Sequence, residues 1–143
     1  MSTTDSRFDT VNSTPSYRPG VERFFLVGVS GVASGLEFAL DRSETLIGRS
    51  TACDICLSDE RVSRRHVSLT LVPDPVRPTR SYVLLEDLGS RNGVRVGSYL
   101  VGSTLLEGGE KLVVGGSVFR VERRDELDRA HHARQRALLS VEA

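Results

Sequence analysis

The segment RVSRRHVSLT, residues 61–70, places three arginines and a histidine around one serine. Two kinds of chemistry use such a set of side chains. Ser63 and His66 are candidates for a nucleophile and its general base, whereas the arginines are suited to holding an anion. A catalytic triad also needs an orienting acid and an oxyanion hole, and no motif in the sequence nominates either. We therefore predict no catalytic residue here and favour an anion site.

Two further segments carry side chains that bind anions. IGRS presents Arg49 at the end of a predicted strand, and GSRNG presents Ser90, Arg91 and Asn92 in a predicted turn. Arginine forks bind phosphate oxygens through paired, charge-assisted hydrogen bonds, and serine hydroxyls and loop N–H groups can complete the shell. Because recognition sites are commonly built on loops held by a rigid scaffold, the three segments together predict one oxyanion site.

The charge balance of the chain restricts where binding can occur. The 19 basic and 19 acidic residues give a formal net charge of zero, so bulk charge favours neither nucleic acid nor a membrane surface. No apolar run approaches the length of a membrane span, and residues 1–20 contain no apolar signal core. We therefore expect a cytoplasmic protein with no nucleic-acid or membrane partner, whose positive charge is concentrated locally.

The two cysteines, Cys53 and Cys56, have a spacing that is used in zinc and redox sites. Zinc needs about four ligands, and no second pair of ligands stands at a suitable spacing. A redox dithiol normally opens a helix, and this segment has no helical periodicity. We predict two reduced cysteines, no metal site and no cofactor.

From Arg23 onward the chain consists of short β-prone runs separated by turn residues. These runs are RFFLVGV, GLEFAL, ETLIGR, HVSLTLV, YVLLEDL, VRV, LVG, KLVVG and VFRVER. Three of the five prolines lie in VPDPVRPTRS, which predicts a loop. Many short strands at close spacing favour an all-β sandwich or barrel.

The two ends of the chain differ from this β-rich region, which we place at residues 21–122. Residues 1–20 are rich in Ser, Thr, Asp and Pro and are expected to be disordered. Residues 123–143 contain no Gly or Pro and have a helical spacing of apolar side chains, with Asp125 as a candidate N-cap. Such a helix could serve as a linker, bind a partner or dimerise.

The motifs GRS, VSRRHVSL and LEDLGSRNGVRV, taken in this order, resemble the forkhead-associated (FHA) domain, which binds phosphothreonine peptides. The resemblance extends from about Phe24 to Val121. It implies an antiparallel β-sandwich whose loops at one end contact the phosphopeptide.

The resemblance also implies roles for individual residues. Arg49 and Ser63 would grip the phosphate, Arg64 would add a phosphate contact, and Asn92 would hold the peptide backbone. Three further residues would have architectural roles: Gly48, His66 and Gly93. His66 would fix the binding loops by hydrogen bonding. A small pocket for the γ-methyl group would favour threonine over serine.

Two arginines add to this set. By the same resemblance, Arg61 would face the peptide residue three after the phosphothreonine and would favour Asp or Glu there. Arg91 stands where the family usually has threonine, so a hydroxyl contact is replaced by a cation.

These features predict a phosphothreonine-dependent binding module, not an enzyme, that acts as an adaptor in Ser/Thr kinase signalling. Its partner would be a phosphothreonine-containing protein, such as a Ser/Thr kinase or a kinase substrate. Two alternatives remain open. The domain could be a phospho-independent scaffold or oligomerisation domain, or the regulatory part of a larger signalling protein such as a diguanylate cyclase.

Overall fold

A computed structural model of the protein describes residues 22–77 and 79–125. Within these ranges the chain forms eleven β-strands and no helix, and therefore no helix that could cross a membrane. The strands are β1 (Glu22–Ser30), β2 (Glu37–Ala39), β3 (Glu44–Gly48), β4 (Ile55–Cys56), β5 (Val67–Pro73), β6 (Ser81–Asp87), β7 (Val94–Val96), β8 (Tyr99–Val101), β9 (Ser103–Leu106), β10 (Lys111–Val114) and β11 (Ser117–Asp125).

The strands form two sheets, which confirms the predicted β-sandwich. The six-stranded sheet has the order β2-β1-β11-β10-β7-β8, and the five-stranded sheet has the order β4-β3-β5-β6-β9. Strands β5 and β6 pair antiparallel, from Val67 opposite Asp87 to Pro73 opposite Ser81. The pairing of β3 with the two-residue β4 is parallel and departs locally from the antiparallel prediction.

The core lies between the two sheets because alternate side chains of each strand point inward. In β5 and β6, Val67, Leu69, Val83 and Leu85 are all at most 2% exposed. The facing sheet contributes further buried side chains: Phe24, Leu26, Val94, Leu112, Val114, Phe119 and Val121. Full burial of one such side chain contributes about 1.5–3 kcal/mol, so this double layer fixes the strand ends from which the loops emerge.

Strands β1 and β11 are neighbours in the six-stranded sheet and set the two ends of the sandwich. At one end Glu22 forms an ion pair with Arg123, with Oε1 and Nε 3.6 Å apart. At the other end Gly31, the residue after β1, lies close to the backbone of Gly116. A Cβ at Gly31 would lie 2.5 Å from the Gly116 carbonyl oxygen. The turn at Gly116 in turn contacts the segment that contains Arg61.

Three parts of the fold differ from the expectation or extend it. The sequence pattern did not reveal β4 or β9. Strand β11 continues to Asp125, beyond the expected domain end at residue 122, so no helix begins at residue 123. Arg124 explains this extension, since its guanidinium bonds Glu37 on β2 and lies 4.2 Å from the centre of the Phe25 ring. Residues 1–21 and 126–143, where disorder and a helix were expected, lie outside the described residues.

Candidate anion-binding site

Three loops meet at one end of the sandwich. Arg49 follows β3, Ser63 and Arg64 precede β5, and the turn between β6 and β7 carries Arg91 and Asn92. They surround a cavity of about 230 Å³. The cavity is lined by all six side chains that were predicted to bind, which are Arg49, Arg61, Ser63, Arg64, Arg91 and Asn92. Glu60 and Val62 complete the lining.

Arg49 is held so that its end remains available. Its Nε donates to the carbonyl of Val62 at 3.0 Å, and its backbone N–H donates to the carbonyl of Ser63 at 2.9 Å. These bonds hold the side chain through Nε, and among the described residues neither terminal nitrogen of Arg49 has a hydrogen-bond partner. Gly48 permits this approach because a Cβ there would collide with the Arg64 carbonyl group and lie 2.8 Å from the sulfur of Cys53.

The serine and the asparagine are each fixed by one bond to another loop. The Ser63 hydroxyl oxygen accepts the backbone N–H of Arg91 at 3.1 Å, so its own proton is free to be donated to an anion. The Asn92 amide donates to the carbonyl of Arg61 at 2.8 Å. Its carbonyl oxygen and second N–H remain available, which is the donor and acceptor pair that an extended peptide backbone requires.

His66 is fully buried and connects the same loops. Its Nδ1 accepts the backbone N–H of Ser63 at 3.0 Å, which leaves Nε2 as the protonated nitrogen, and this donates to the carbonyl of Gly93 at 2.8 Å. Both nitrogens are therefore engaged with backbone groups. Since neither contacts the Ser63 hydroxyl, these two residues do not form a nucleophile and base pair.

The turn that carries Asn92 has its own internal support. Gly93 has φ +80°, a conformation that other residues adopt only at a cost, and a Cβ there would lie 2.6 Å from Cδ1 of Leu100. Its N–H donates to the Ser90 hydroxyl at 2.9 Å, and the Ser90 N–H donates to the Asp87 carboxylate at 3.0 Å. The position of Asn92 thus depends on these bonds of its neighbours as well as on its own bond to the Arg61 carbonyl.

Arg61 differs from the other arginines because its charge is already paired. Its Nε and Nη2 donate to the two carboxylate oxygens of Asp59 at 3.1 and 3.3 Å. Asp59 also accepts the backbone N–H groups of Arg61 at 2.9 Å and Gly116 at 2.8 Å. These backbone hydrogen bonds, with that of Arg61 the largest contribution, lower the pKa of Asp59 from 3.8 to about 2.

The comparisons with known proteins agree with this geometry. A family model of the FHA domain matches residues 45–115. The FHA domain of the CT664 protein from Chlamydia trachomatis superposes with a TM-score of 0.60 at 30% sequence identity, covering 70% of this chain and 96% of that domain. The chain belongs to the FHA domain family.

Two mycobacterial proteins are also similar to this FHA domain. The glycogen accumulation regulator GarA of Mycobacterium tuberculosis is 34% identical over 90 residues, which cover 63% of this chain and 51% of GarA. The chain thus spans about half the length of the curated relatives it matches. EmbR of Mycobacterium tuberculosis, whose structure was solved with a low-affinity phosphopeptide, is 28% identical with a TM-score of 0.59, covering 70% of this chain and 24% of EmbR.

The cysteines of this FHA domain lie beneath the arginine loops. Cys53 is buried and Cys56 is exposed, and both are free thiols. Cys53 donates to the carbonyl of Arg64 at 3.1 Å and Cys56 to that of Arg49 at 3.3 Å. Burial is the main cause that raises the pKa of Cys53, which keeps this thiol protonated. Within the described residues no group of three or more His, Cys, Asp or Glu side chains could hold a metal ion.

Sequence reasoning did not single out Asp59 or Glu60, and it did not assign Ser90 a supporting role. Asp59 stands two residues before Arg61 in the run SDER, a spacing at which an aspartate commonly accepts a backbone N–H within a turn, so a signal was present. Ser90 likewise stands three residues before Gly93, whose N–H its hydroxyl accepts. No local sequence motif marks Glu60 as a site residue, because its place in the site depends on side chains that the fold brings around it.

Proposed function

We propose that this FHA domain binds phosphothreonine peptides and acts as a phosphorylation-dependent adaptor in Ser/Thr kinase signalling in the cytoplasm. The observation that carries the proposal is a small cavity lined by four arginines and the Ser63 side chain, where only the Arg61 guanidinium is already paired with a carboxylate. Among the described residues, the side chains of Arg64 and Arg91 have no hydrogen-bond or ion-pair partner, and Arg49 uses only Nε. A phosphate dianion supplies the acceptors that these donors lack.

The roles follow from which atoms remain free. Arg49 and Arg64 bind phosphate oxygens, and the Ser63 hydroxyl donates its proton to a third oxygen. Arg91 adds positive charge at the mouth of the cavity. Asn92 binds the peptide backbone beside the phosphothreonine through its free carbonyl oxygen and N–H. The similarity to EmbR supports this assignment, because the EmbR structure contains a bound phosphopeptide.

The same geometry supports a binding protein over an enzyme. A hydrolase or transferase using Ser63 would need a base in contact with its hydroxyl. His66 directs both nitrogens at backbone groups, and the hydroxyl oxygen itself accepts the N–H of Arg91. His66, Gly48 and Gly93 are therefore assigned to the architecture of the loops.

Peptide binding measured by fluorescence anisotropy tests the proposal. One library carries a fixed phosphothreonine, and matched libraries carry phosphoserine or unmodified threonine at that position. We expect binding to require phosphate and to favour threonine, where one buried methyl group contributes about 1 kcal/mol. Arg49→Ala should weaken binding about tenfold or more, since hydrogen bonds to charged groups contribute roughly 1.5–3 kcal/mol.

The control is Arg120→Ala, which removes an exposed arginine from the sheet and should leave the affinity unchanged. Equal binding of phosphorylated and unmodified libraries would contradict the proposal and favour a phospho-independent scaffold. Thermal denaturation of each variant establishes that a loss of binding is not a loss of folding.

A further inference from the structure

A second, open groove adjoins the anion site. It has a volume of about 630 Å³ and is lined by residues 58–61 and by Gly31, Val32 and Gly116. Glu60 and Arg61 line both this groove and the anion site. A peptide advances about 3.3 Å per residue when extended, so a chain held at the phosphate reaches this groove within a few residues.

The charge in this groove is opposite to the charge around the phosphate. Arg61 is paired with Asp59, whose carboxylate is only 8% exposed and accepts two backbone N–H groups, so this arginine adds little net charge. Glu60 is the one acidic side chain that lines the anion site. Among the described residues its carboxylate has no hydrogen-bond or ion-pair partner, so both of its oxygens are available to a peptide side chain.

The groove also offers apolar surface. Val32 lines the groove and is 55% exposed. The neighbouring lining residues Gly31 and Gly116 have no side chains. Lysine and arginine combine an apolar stem with a charged head, and they commonly lay the stem on apolar surface. A basic peptide side chain therefore matches both parts of the groove, whereas an acidic one would meet the Glu60 carboxylate.

We propose that Glu60 makes this FHA domain select phosphothreonine peptides with a lysine or arginine at the position that enters the groove. Asp59 completes this selectivity because its carboxylate neutralises the Arg61 guanidinium, whose side chain is otherwise 67% exposed. The inference rests on the proposed function, and it reverses the acidic preference that Arg61 suggests from sequence alone.

The test is a phosphothreonine library in which each flanking position is randomised in turn. For the unsubstituted domain we expect Lys and Arg to be enriched over Asp and Glu at one position by about two- to fivefold, the range of an exposed ion pair. Glu60→Gln should bring this ratio to about one, and Glu60→Lys should invert it. Glu86→Gln removes an exposed carboxylate on β6 and should leave the ratio unchanged.

A second variant separates the two parts of the inference. Asp59→Asn releases Arg61, so acidic side chains should become favoured even though Glu60 is intact. Urea denaturation shows whether Asp59→Asn folds. If Asp59→Asn does not fold, the Glu60 variants alone decide whether Glu60 sets the basic preference.

Two outcomes would overturn the inference. These are an acidic preference in the unsubstituted domain, or a basic preference that Glu60→Gln leaves intact. Both leave the phosphothreonine function standing, provided that binding still requires phosphate. Binding that does not require phosphate would refute the proposed function instead.

Discussion

The two hydrogen bonds of His66 give the strongest single prediction about this domain. His66→Phe keeps an aromatic ring of similar size but removes both ring nitrogens. In the unsubstituted domain these bonds are well formed, at 3.0 Å to the Ser63 N–H and 2.8 Å to the Gly93 carbonyl. The substitution leaves both backbone groups without a partner. Each buried group left unpaired costs about 1–3 kcal/mol, so the variant should lose roughly 2–6 kcal/mol of unfolding free energy.

Urea denaturation measures this loss directly. The midpoint should fall while the slope of free energy against urea stays constant, because the surface exposed on unfolding is unchanged. His66→Asn retains an acceptor close to the position of Nδ1 and should lose less from the Ser63 bond, although it leaves a cavity. Hydrogen exchange adds a local measurement, since the Ser63 amide should exchange faster in His66→Phe.

A loss below about 1 kcal/mol would refute this reasoning, particularly with unchanged exchange at Ser63. It would mean that water or another group satisfies both backbone atoms when the ring nitrogens are absent. The role of His66 would then be to fill space, and the coupling of the two loops would have to come from other contacts.

Three other predictions concern the supports of the site. Gly48→Ala should destabilise the domain by about 3 kcal/mol in urea denaturation, because the new methyl group meets the Arg64 backbone. The control is Gly102→Ala, where a Cβ meets nothing within 4 Å. It should change the unfolding free energy by less than ~0.5 kcal/mol. Ser90→Ala removes the acceptor for the Gly93 N–H and should cost about 1 kcal/mol, read from the same denaturation curves. Asp59 has a folded-state pKa of about 2 against 3.8 unfolded, so it stabilises the domain above pH 3.8 and loses that effect as pH falls toward 2. Asp59→Asn should therefore reduce the difference in stability between pH 6 and pH 2.5 by about 1–2 kcal/mol, and an unchanged pH profile would contradict this assignment.

The strands that carry the core were predictable from sequence because their periodicity is strong. HVSLTLV and YVLLEDL alternate or run apolar over the length of a strand, and both form central strands of the five-stranded sheet. The two strands that were missed lack such a signal. Strand β4 is only two residues long, and β9, with the sequence STLL, is an edge strand whose Leu105 is 53% exposed.

The candidate site was predictable as a set of residue types but not as a set of charges. The motifs placed all six binding candidates on one cavity. They did not reveal that the Arg61 guanidinium is occupied by Asp59, because this pairing depends on the side-chain direction and on the Gly116 N–H from a distant turn. Local sequence indicates which charged groups lie near a site, whereas the net charge that they present to a ligand depends on contacts made across the fold.

The positions of the two ends of β1 and β11 have a practical consequence. Glu22 begins β1 and pairs with Arg123 near the end of β11, whereas Gly31 and Gly116 lie at the opposite end, which approaches Arg61. The nine residues of β1 span about 30 Å between these ends. A fluorophore, fusion partner or surface tether attached at Glu22 or Arg123 is therefore about one strand length from Arg61, so attachment at either residue should not obstruct the ligand.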